Sequence, residues 1–207
     1  MVFLRWLVIT TALVLFGSNY TLAVTEDMVE QTPHQLVTQL SYEVLQVVND
    51  KKYVLDENPE DFNQAISNVL ESYIAFDYIA KGVMGRYAKE ATAEQRMRFS
   101  QSFKNDMMNT YAKGMVAFSD NRLEVLPAAE ESLNQSRVSV IQKVYGVDSE
   151  HTVAYSMGKS KTTNRWMLLN VVIDGINLGS TFRSQFAQAM QSKGDLEVVI
   201  ASWSVEG

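Results

Sequence analysis

The spacing of hydrophobic residues changes in the middle of the chain. In the first half they recur every three or four positions, which is typical of amphipathic helices. In the second half they alternate with polar residues or form short apolar runs, which indicates four strands, at 122–126, 137–145, 152–157 and 166–173. This order predicts an α+β domain, with an antiparallel four-stranded curled sheet (a meander) and helices packed on one side.

Start signals place the helices along the first half. Helices are predicted over 31–49 and from Pro59 onward, since proline is tolerated in a first turn. Asp77 is a candidate N-cap for a short third helix. Thr92 and Gln95 have the spacing of a capping box, and the helix that they begin is expected to be the longest. One broad face of that helix carries Phe99, Phe103, Met107, Tyr111 and Met115.

The last strand leads into a second helix with an aromatic face. Almost every residue of 166–173 is apolar, so both faces of this strand should be covered. A turn follows at 174–175, and Ser180 or Thr181 is the expected N-cap of the next helix. The apolar side of that helix carries Phe182, Phe186 and Met190.

Residues 1–23 have the features of a secretory signal peptide. Arg5 is their only charge, an apolar run follows it, and positions 21–23 supply small residues before an acidic start. We therefore predict cleavage after Ala23, which leaves 24–207 as one domain. The alternative is an uncleaved anchor, but the run is short for a hydrocarbon core of about 30 Å.

Charge and cysteine content exclude several classes of protein. The formal net charge is −6, so the chain is a poor candidate for binding nucleic acid, and anionic membranes should repel it. There is no cysteine, which excludes disulfide, zinc-thiolate, iron–sulfur and cysteine-nucleophile chemistry. Stability must therefore come from the apolar core.

Signals for catalysis are weak. His34 and His151, the two histidines, are far apart in the sequence, and each is expected to be a solvated side chain. The motifs of serine hydrolases, nucleotide-binding loops and zinc proteases are missing from the sequence. Without suitable ligands we expect no transition-metal site. No catalytic residue and no cofactor are predicted.

The apolar faces allow two interpretations. Methionines recur in them, and these flexible side chains adapt to variable shapes. Tyrosines accompany the methionines and combine an apolar ring with a polar end. A close-packed core and a pocket for a long apolar ligand both explain this pattern, and the residues alone leave the choice open.

Two blocks of the sequence resemble the MlaC family of periplasmic phospholipid carriers. The first block, at 76–115, is FDYIAKGVMGRYAKEATAEQRMRFSQSFKNDMMNTYAKGM. The second block comprises Trp166, NVVIDGINL at 170–178 and FRSQF at 182–186. The family more often has tyrosine where Phe182 stands. The likeness extends over nearly all of the chain after the predicted signal peptide.

This resemblance implies a soluble, monomeric shuttle in the periplasm that helps to maintain the lipid asymmetry of the outer membrane. Its cargo would be a phospholipid, whose acyl chains would lie in a cavity between the sheet and the helices. Its partners would be an outer-membrane lipoprotein complex of the MlaA type and an inner-membrane ABC transporter with MCE-type domains of the MlaD type. The resemblance implies neither catalysis nor binding of nucleic acid.

For such a carrier, we predict a pocket lined by apolar and aromatic side chains. The predicted lining residues are Val83, Met84, Tyr87, Phe103, Met107, Tyr111, Val171, Ile173, Ile176, Phe182 and Phe186. Arg86 and Arg183 are candidates for binding the phosphate of the headgroup through paired hydrogen bonds. The alternative for each arginine is a structural role, with a carboxylate or a carbonyl as its partner.

Two other functions fit the same fold class. The first is an enzyme on a cone-shaped α+β scaffold that acts on a small hydrophobic substrate, with Asp77 or Asp174 as the base. It requires a buried carboxylate with a raised pKa inside the cavity. The second is a protein-interaction module with a filled core, which would contain no cavity larger than a few water molecules.

Overall fold

The computed structural model describes residues 31–128 and 135–205, so the predicted signal peptide lies outside it. Within these ranges the helices are α1 (Pro33–Lys51), α2 (Pro59–Leu70), α3 (Phe76–Met84), α4 (Ala93–Ala117), α5 (Leu178–Lys193) and α6 (Leu196–Ala201). The strands are β1 (Arg122–Val125), β2 (Arg137–Tyr145), β3 (Glu150–Lys159), β4 (Trp166–Ile173) and β5 (Ile176–Asn177). Short 3-10 turns follow α1 (Lys52–Val54) and α3 (Gly85–Lys89).

The sheet is an antiparallel meander with one strand more than predicted. Each strand pairs with its neighbours in chain order, β1-β2-β3-β4-β5, which confirms the predicted class and topology. The addition is β5, in which Ile176 pairs with Ile173 across the turn at 174–175. Two residues contain too little alternation for the sequence pattern to reveal a strand.

One face of the sheet is apolar and packs against helices. Val138, Val140 and Val144 of β2 are buried, whereas the residues between them are more exposed, apart from Gln142. Val138 stands opposite Met157 of β3, which in turn stands opposite Leu168 of β4. Directly opposite residues share a face, so these side chains define a continuous inner face across the sheet.

Local sequence determines where the longer helices begin. The Thr92 hydroxyl accepts from the Gln95 N–H at 3.1 Å and the Gln95 side chain accepts from the Thr92 N–H at 2.9 Å, which confirms the predicted capping box. With 25 residues, α4 is the longest helix of the described part of the chain. Pro59 is the first residue of α2, as predicted, and Asn58 is its N-cap.

Two predicted N-caps are wrong. The cap of α3 is Ala75, because its N–H bonds to the Leu168 carbonyl at 3.1 Å and the helix begins where the chain leaves this contact with β4. Asp77 lies within the first turn, where its carboxylate accepts from the Ser100 hydroxyl at 2.7 Å. The cap of α5 is Asn177, whose side chain accepts from the Ser180 N–H at 3.0 Å, because the helix follows β5 directly.

The buried apolar residues form two clusters. The sheet-side core joins α1, α2 and the later part of α4 to the inner face and comprises Leu36, Val37, Leu40, Val48, Phe62, Ile66, Leu70, Tyr73, Phe76, Met108, Ala112, Val138, Val140, Met157 and Leu168. The aromatic cluster joins α3, the early part of α4, α5 and α6. Its buried members are Ala80, Val83, Met84, Ala88, Ala91, Phe99, Phe103, Phe182, Phe186, Val199, Ile200 and Val205, with Trp203 packed against them.

Candidate functional site

A large groove opens at one end of the sheet, between the start of α1 and the inner face. Its volume is about 1140 Å³, larger than the roughly 300–1,000 Å³ of common small-molecule sites. Val125, Val138 and Trp166 supply its apolar side from three different strands. The remaining lining residues are Gln31, Thr32, Pro33, His34, Gln35, Thr38, Gln39, Leu126, Pro127, Ala128, Gln135, Ser136 and Lys159.

The first turns of α1 form the polar side of the groove. Thr32 and Gln35 make a second capping box, which holds the start of the helix in place. The Thr38 hydroxyl donates to the His34 carbonyl at 2.9 Å. Burial lowers the pKa of the His34 imidazole, which favours its neutral form. The groove therefore combines neutral polar groups along α1 with apolar groups along the sheet.

A chain of hydrogen bonds crosses the interior from β3 to α1. The Tyr155 hydroxyl donates to the Gln142 carbonyl oxygen at 2.8 Å, the Gln142 amide donates to the Ser41 hydroxyl at 2.8 Å, and that hydroxyl donates to the Val37 carbonyl at 2.9 Å. Gln142 is only 3% exposed, and a buried amide requires such partners. These bonds fasten α1 to the sheet beyond the groove.

Four partly buried side chains of α4 and the sheet pack against the sheet-side core, and we call their positions the seam. Met107, Met115, Tyr155 and Val171 pack against the sheet-side core, but each keeps some accessible surface. Burial nevertheless raises the pKa of Tyr155, which indicates that protein surrounds its hydroxyl. These partly buried methionine, tyrosine and valine side chains make the seam a second candidate for holding an apolar ligand.

Aromatic rings fill the aromatic cluster. Phe99 and Phe186 meet edge to face with centroids 4.9 Å apart, and Phe103 meets Phe182 in the same way at 5.4 Å. Trp203 covers Phe99 at 5.3 Å. These are ordinary distances for packed aromatic pairs. Phe99, Phe103 and Phe186 are at most 1% exposed, so side chains of the protein close this cluster.

The structure divides the eleven predicted pocket residues into three groups. Seven of them belong to the aromatic cluster or pack against it alone: Val83, Met84, Tyr87, Phe103, Tyr111, Phe182 and Phe186. Met107 packs against both clusters and Val171 against the sheet-side core, so these two lie at the seam. Ile173 and Ile176 lie at the far end of β4 and are 36% and 61% exposed. None of the eleven lines the groove, and lipid contact by these residues stays a prediction.

The two arginines predicted to bind a headgroup lie on either side of Gly85, at the end of α3. The Arg86 guanidinium donates to the Tyr87 hydroxyl at 2.9 Å. The Arg183 guanidinium lies against the backbone of Gly85, with its Nε 3.2 Å from where a Cβ would stand. Because Gly85 also has φ +59°, a side chain is disfavoured there on two counts. Both arginines are exposed, and neither lines the groove.

The enzyme hypothesis requires a buried carboxylate with a raised pKa inside the cavity, and neither Asp77 nor Asp174 meets this requirement. Asp77 is exposed. The backbone N–H of Thr152 and the ring of His151 bond to Asp174 and lower its pKa, the opposite of the predicted shift. Burial raises the pKa of Asp106, but this residue does not line the groove. No group of three metal-ligating side chains occurs in residues 31–128 and 135–205.

Sequence reasoning missed the groove because its walls come from distant segments. The start of α1 and the inner face near Val125 and Val138 meet only after the sheet has formed. A detectable signal was Trp166, a large apolar residue at the start of a strand with polar neighbours. Gln142, a polar residue at a position that alternation assigns to the inner face, was instead a signal for the hydrogen bonds to α1 beyond the groove.

The fold and the groove together define a class of protein: an α+β domain whose meander is covered by helices on one face and whose apolar interior opens at one end of the sheet. The family model described as MlaC protein matches residues 38–205. The chain belongs to the MlaC family. In the part of the chain that the structure describes, no helix is both long enough and apolar enough to cross a bilayer.

Three known proteins illustrate the relationship. The chain is 34% identical over 179 residues to toluene tolerance protein ttg2D of Pseudomonas putida, which covers 85% of this chain and 81% of that protein. It is 22% identical over 152 residues to the intermembrane phospholipid transport system binding protein MlaC of Haemophilus influenzae, with 72% and 70% covered. The fold is similar to the phospholipid-binding protein of Ralstonia solanacearum, solved with a phospholipid, at a TM-score of 0.74 and 21% identity over 83% of this chain and 94% of that one.

Proposed function

We propose that this protein is a periplasmic phospholipid carrier that shuttles lipid between outer-membrane and inner-membrane complexes and so maintains the lipid asymmetry of the outer membrane. The observation that carries the proposal is the open apolar side of the groove, in a chain of the MlaC family. A protein of the same family is named as a phospholipid transport component, and a protein of similar fold was solved with a phospholipid. The carrier binds and releases its cargo without chemical change.

The acyl chains enter the groove and, when the buried side chain of Leu168 moves aside, extend along the inner face of β4. Trp166 lies in the groove, and Leu168 and Val171 follow it on this face. An acyl chain on this path passes Val171 and reaches Met107 at the seam, and Tyr111 lies one turn further along α4. The chain therefore meets three of the predicted pocket residues. The flexible methionines there adapt to chains of different shape.

The energetics of this binding favour exchange with a bilayer over release into water. Burying a methylene stabilises by about 0.8 kcal/mol, so two chains of about 15 methylenes contribute about 24 kcal/mol relative to water. This exceeds almost every known non-covalent affinity. A bilayer provides similar burial, so transfer between bilayer and pocket is close to neutral. Docking to membrane complexes lowers the remaining barrier, which is exposure of the chains to water.

The position of the headgroup distinguishes two versions of the proposal. A lipid in the groove leaves its headgroup at the first turns of α1, beside Thr38 and Gln39. The predicted contacts of Arg86 and Arg183 instead require a lipid that emerges next to α3 and α5. The groove version is the one that we propose, because it needs no displacement of the packed rings.

The proposed carrier works in the periplasm, between two membrane complexes. Cleavage after Ala23 delivers residues 24–207 to the periplasm as a monomer. The partners are an outer-membrane lipoprotein complex of the MlaA type and an MCE-domain ABC transporter of the MlaD type. The negative net charge supports delivery through these proteins, since bare anionic membranes repel the carrier.

Tryptophan quenching tests the position of the cargo. The chain has three tryptophans, and Trp6 lies in the predicted signal peptide. In the exported protein, Trp203→Phe leaves Trp166 in the groove and Trp166→Phe leaves Trp203 in the aromatic cluster. Each variant is loaded from vesicles of phosphatidylcholine with brominated acyl chains, since bromine quenches indole fluorescence only at close range. We expect strong quenching of Trp166 and little quenching of Trp203.

Other outcomes are equally informative. Quenching of Trp203 alone would mean that the acyl chains lie in the aromatic cluster, which contains most of the pocket residues predicted from the sequence. If organic extraction of the exported protein yields no phospholipid for mass spectrometry, and vesicles also transfer none, the carrier function itself is wrong.

A further inference from the structure

Exposed large hydrophobic side chains concentrate at the end of the sheet opposite the groove. Five of the nine in the described residues belong there: Tyr53, Phe118, Val147, Ile173 and Ile176. Val147 lies in the β2–β3 turn and is fully exposed, and Tyr53 is 80% exposed. We call these five residues the turn-end patch. Apolar groups that a protein gathers in one exposed place commonly mark a contact surface.

Direct contacts hold the segments of this patch together. Lys52, next to Tyr53, forms an ion pair with Asp120 at 3.6 Å. Phe118 packs edge to face on the His151 ring at 5.4 Å, and that ring bonds to Asp174 at 2.7 Å. Asp174 lies in the turn between Ile173 and Ile176. The patch therefore has a defined arrangement in which the segments that follow α1 and α4 and two hairpin turns each take part.

The charges around the turn-end patch are predominantly acidic. Its basic side chains each face a carboxylate: Lys52 with Asp120, Arg122 with Glu124, and Lys143 with Glu150. Asp148, in the same turn as Val147, and Asp174, beside Ile173, add negative charge beyond these pairs. The surroundings of the patch thus carry a net negative charge.

We propose that the turn-end patch docks a protein partner whose contact surface has an apolar centre and a basic rim. The negative charge disfavours anionic lipid surfaces and also a second copy of this chain, which would present the same charge. A basic rim would instead attract the patch and orient it. This inference rests on the proposed function for the identity of the partner, so the proteins used to test it are the two partners proposed above.

The position of the patch separates docking from cargo loading. The nine residues of β2, at about 3.3 Å each, place the two ends of the sheet roughly 30 Å apart. A partner on the patch therefore leaves the groove mouth uncovered. Changes to the patch should weaken docking without loss of bound lipid, which distinguishes failure of this inference from failure of the carrier function.

Purified components provide the test. The probes are the periplasmic domain of an MCE-type transporter subunit and an MlaA-type lipoprotein complex in nanodiscs, both from the source organism. We expect Tyr53→Ser with Val147→Ser to lower the affinity for at least one of them by about tenfold or more. Asp148→Lys should weaken the same interaction and reduce its salt dependence. Bound phospholipid, measured after extraction, should equal that of the unchanged protein.

Matched variants elsewhere control for loss of exposed apolar surface or of negative charge. Met97→Ser and Val198→Ser change residues that are 66% and 50% exposed on α4 and α6, and Glu90→Lys changes an exposed acid before α4. These should leave both affinities unchanged. The inference is overturned if neither probe binds, or if the patch and control variants bind alike. Two further results would overturn the inference. In the first, the patch variants lose binding to phosphatidylglycerol vesicles and not to the protein probes. In the second, they lose self-association, measured by analytical ultracentrifugation.

Discussion

The aromatic cluster and the groove end of the sheet carry similar apolar side chains, but among residues 31–128 and 135–205 side chains close only the aromatic cluster. In the cluster, rings from α4 and α5 interlock, and Trp203 covers them from the C-terminal side. At the groove, the inner face around Val125 and Val138 meets the polar first turns of α1 and remains open. Hydrophobic spacing shows which faces of the helices and strands turn inward. Whether the protein covers such a face or leaves room for a ligand depends on the segment that packs opposite it.

The difference also separates two physical roles. Interlocked rings resist changes of volume, so the aromatic cluster stabilises the helices around the site. The groove and the seam have partly buried methionine, tyrosine and tryptophan side chains, which under the proposed function accommodate a ligand with little cost to the fold. A mutation should therefore affect stability in the first region and cargo in the second.

The largest effect is expected from Phe186→Ala in the aromatic cluster. Phe186 is 0% exposed and contacts the rings of Phe99 and Trp203, so the change leaves a cavity and should destabilise the protein by about 3–5 kcal/mol. The matched change in the groove, Leu126→Ala, should cost only about 1 kcal/mol because Leu126 is half-buried. Urea denaturation measures both. Similar costs at the two positions would contradict the division between a closed and an open region.

A smaller and opposite pair of effects is expected from enlarging one residue in each region. Phe103→Trp should overpack the closed cluster and destabilise by about 1–3 kcal/mol. Val125→Trp should occupy groove volume and reduce the phospholipid retained on purification, at a smaller cost in stability. Thermal melting and lipid extraction measure the two effects. If Phe103→Trp folds normally and loses its lipid, the cluster is the pocket after all.

Sequence reasoning succeeded where local chemistry determines the structure. The capping box at Thr92, the proline start of α2 and the alternation of β2 each depend on residues within one element. The cap of α5 was misplaced because three residues within one turn of each other, Asn177, Ser180 and Thr181, all suit that role, and only the pairing of β5 selects the first. Choices among equivalent local signals depend on tertiary structure.

The candidate site was less predictable for the same reason. Seven of the predicted pocket residues have the right apolar character, but the packing of α3, α4 and α5 turns them toward one another. The groove depends on where the start of α1 lies over β1 and β2, which no local pattern encodes. Gln142 shows the same limit, since its partners Ser41 and Tyr155 are distant in sequence.

The smallest expected effect is a change in the pH dependence of stability that comes from Tyr73. This residue lies in a part of the sheet-side core that is closed to solvent, unlike the groove. Burial, with a contribution from Glu43, raises the pKa of Tyr73 to about 12, whereas an unfolded chain has a tyrosine pKa of about 10. Between these pH values the unfolded chain loses a proton that the folded protein keeps. The contribution of Tyr73 is therefore complete below about pH 10 and declines as the pH rises toward about 12.

Tyr73→Phe should make the loss of stability between pH 9 and about pH 11.5 less steep, as measured by urea denaturation at several pH values. Some decline should persist, because burial also raises the pKa of Tyr155. Tyr53→Phe is the matched control, since Tyr53 is 80% exposed and should not change the slope. An unchanged slope in Tyr73→Phe would mean that water reaches this part of the core as it reaches the groove. The open region would then extend from Trp166 past Leu168, whose N–H bonds to the Tyr73 carbonyl at 2.8 Å.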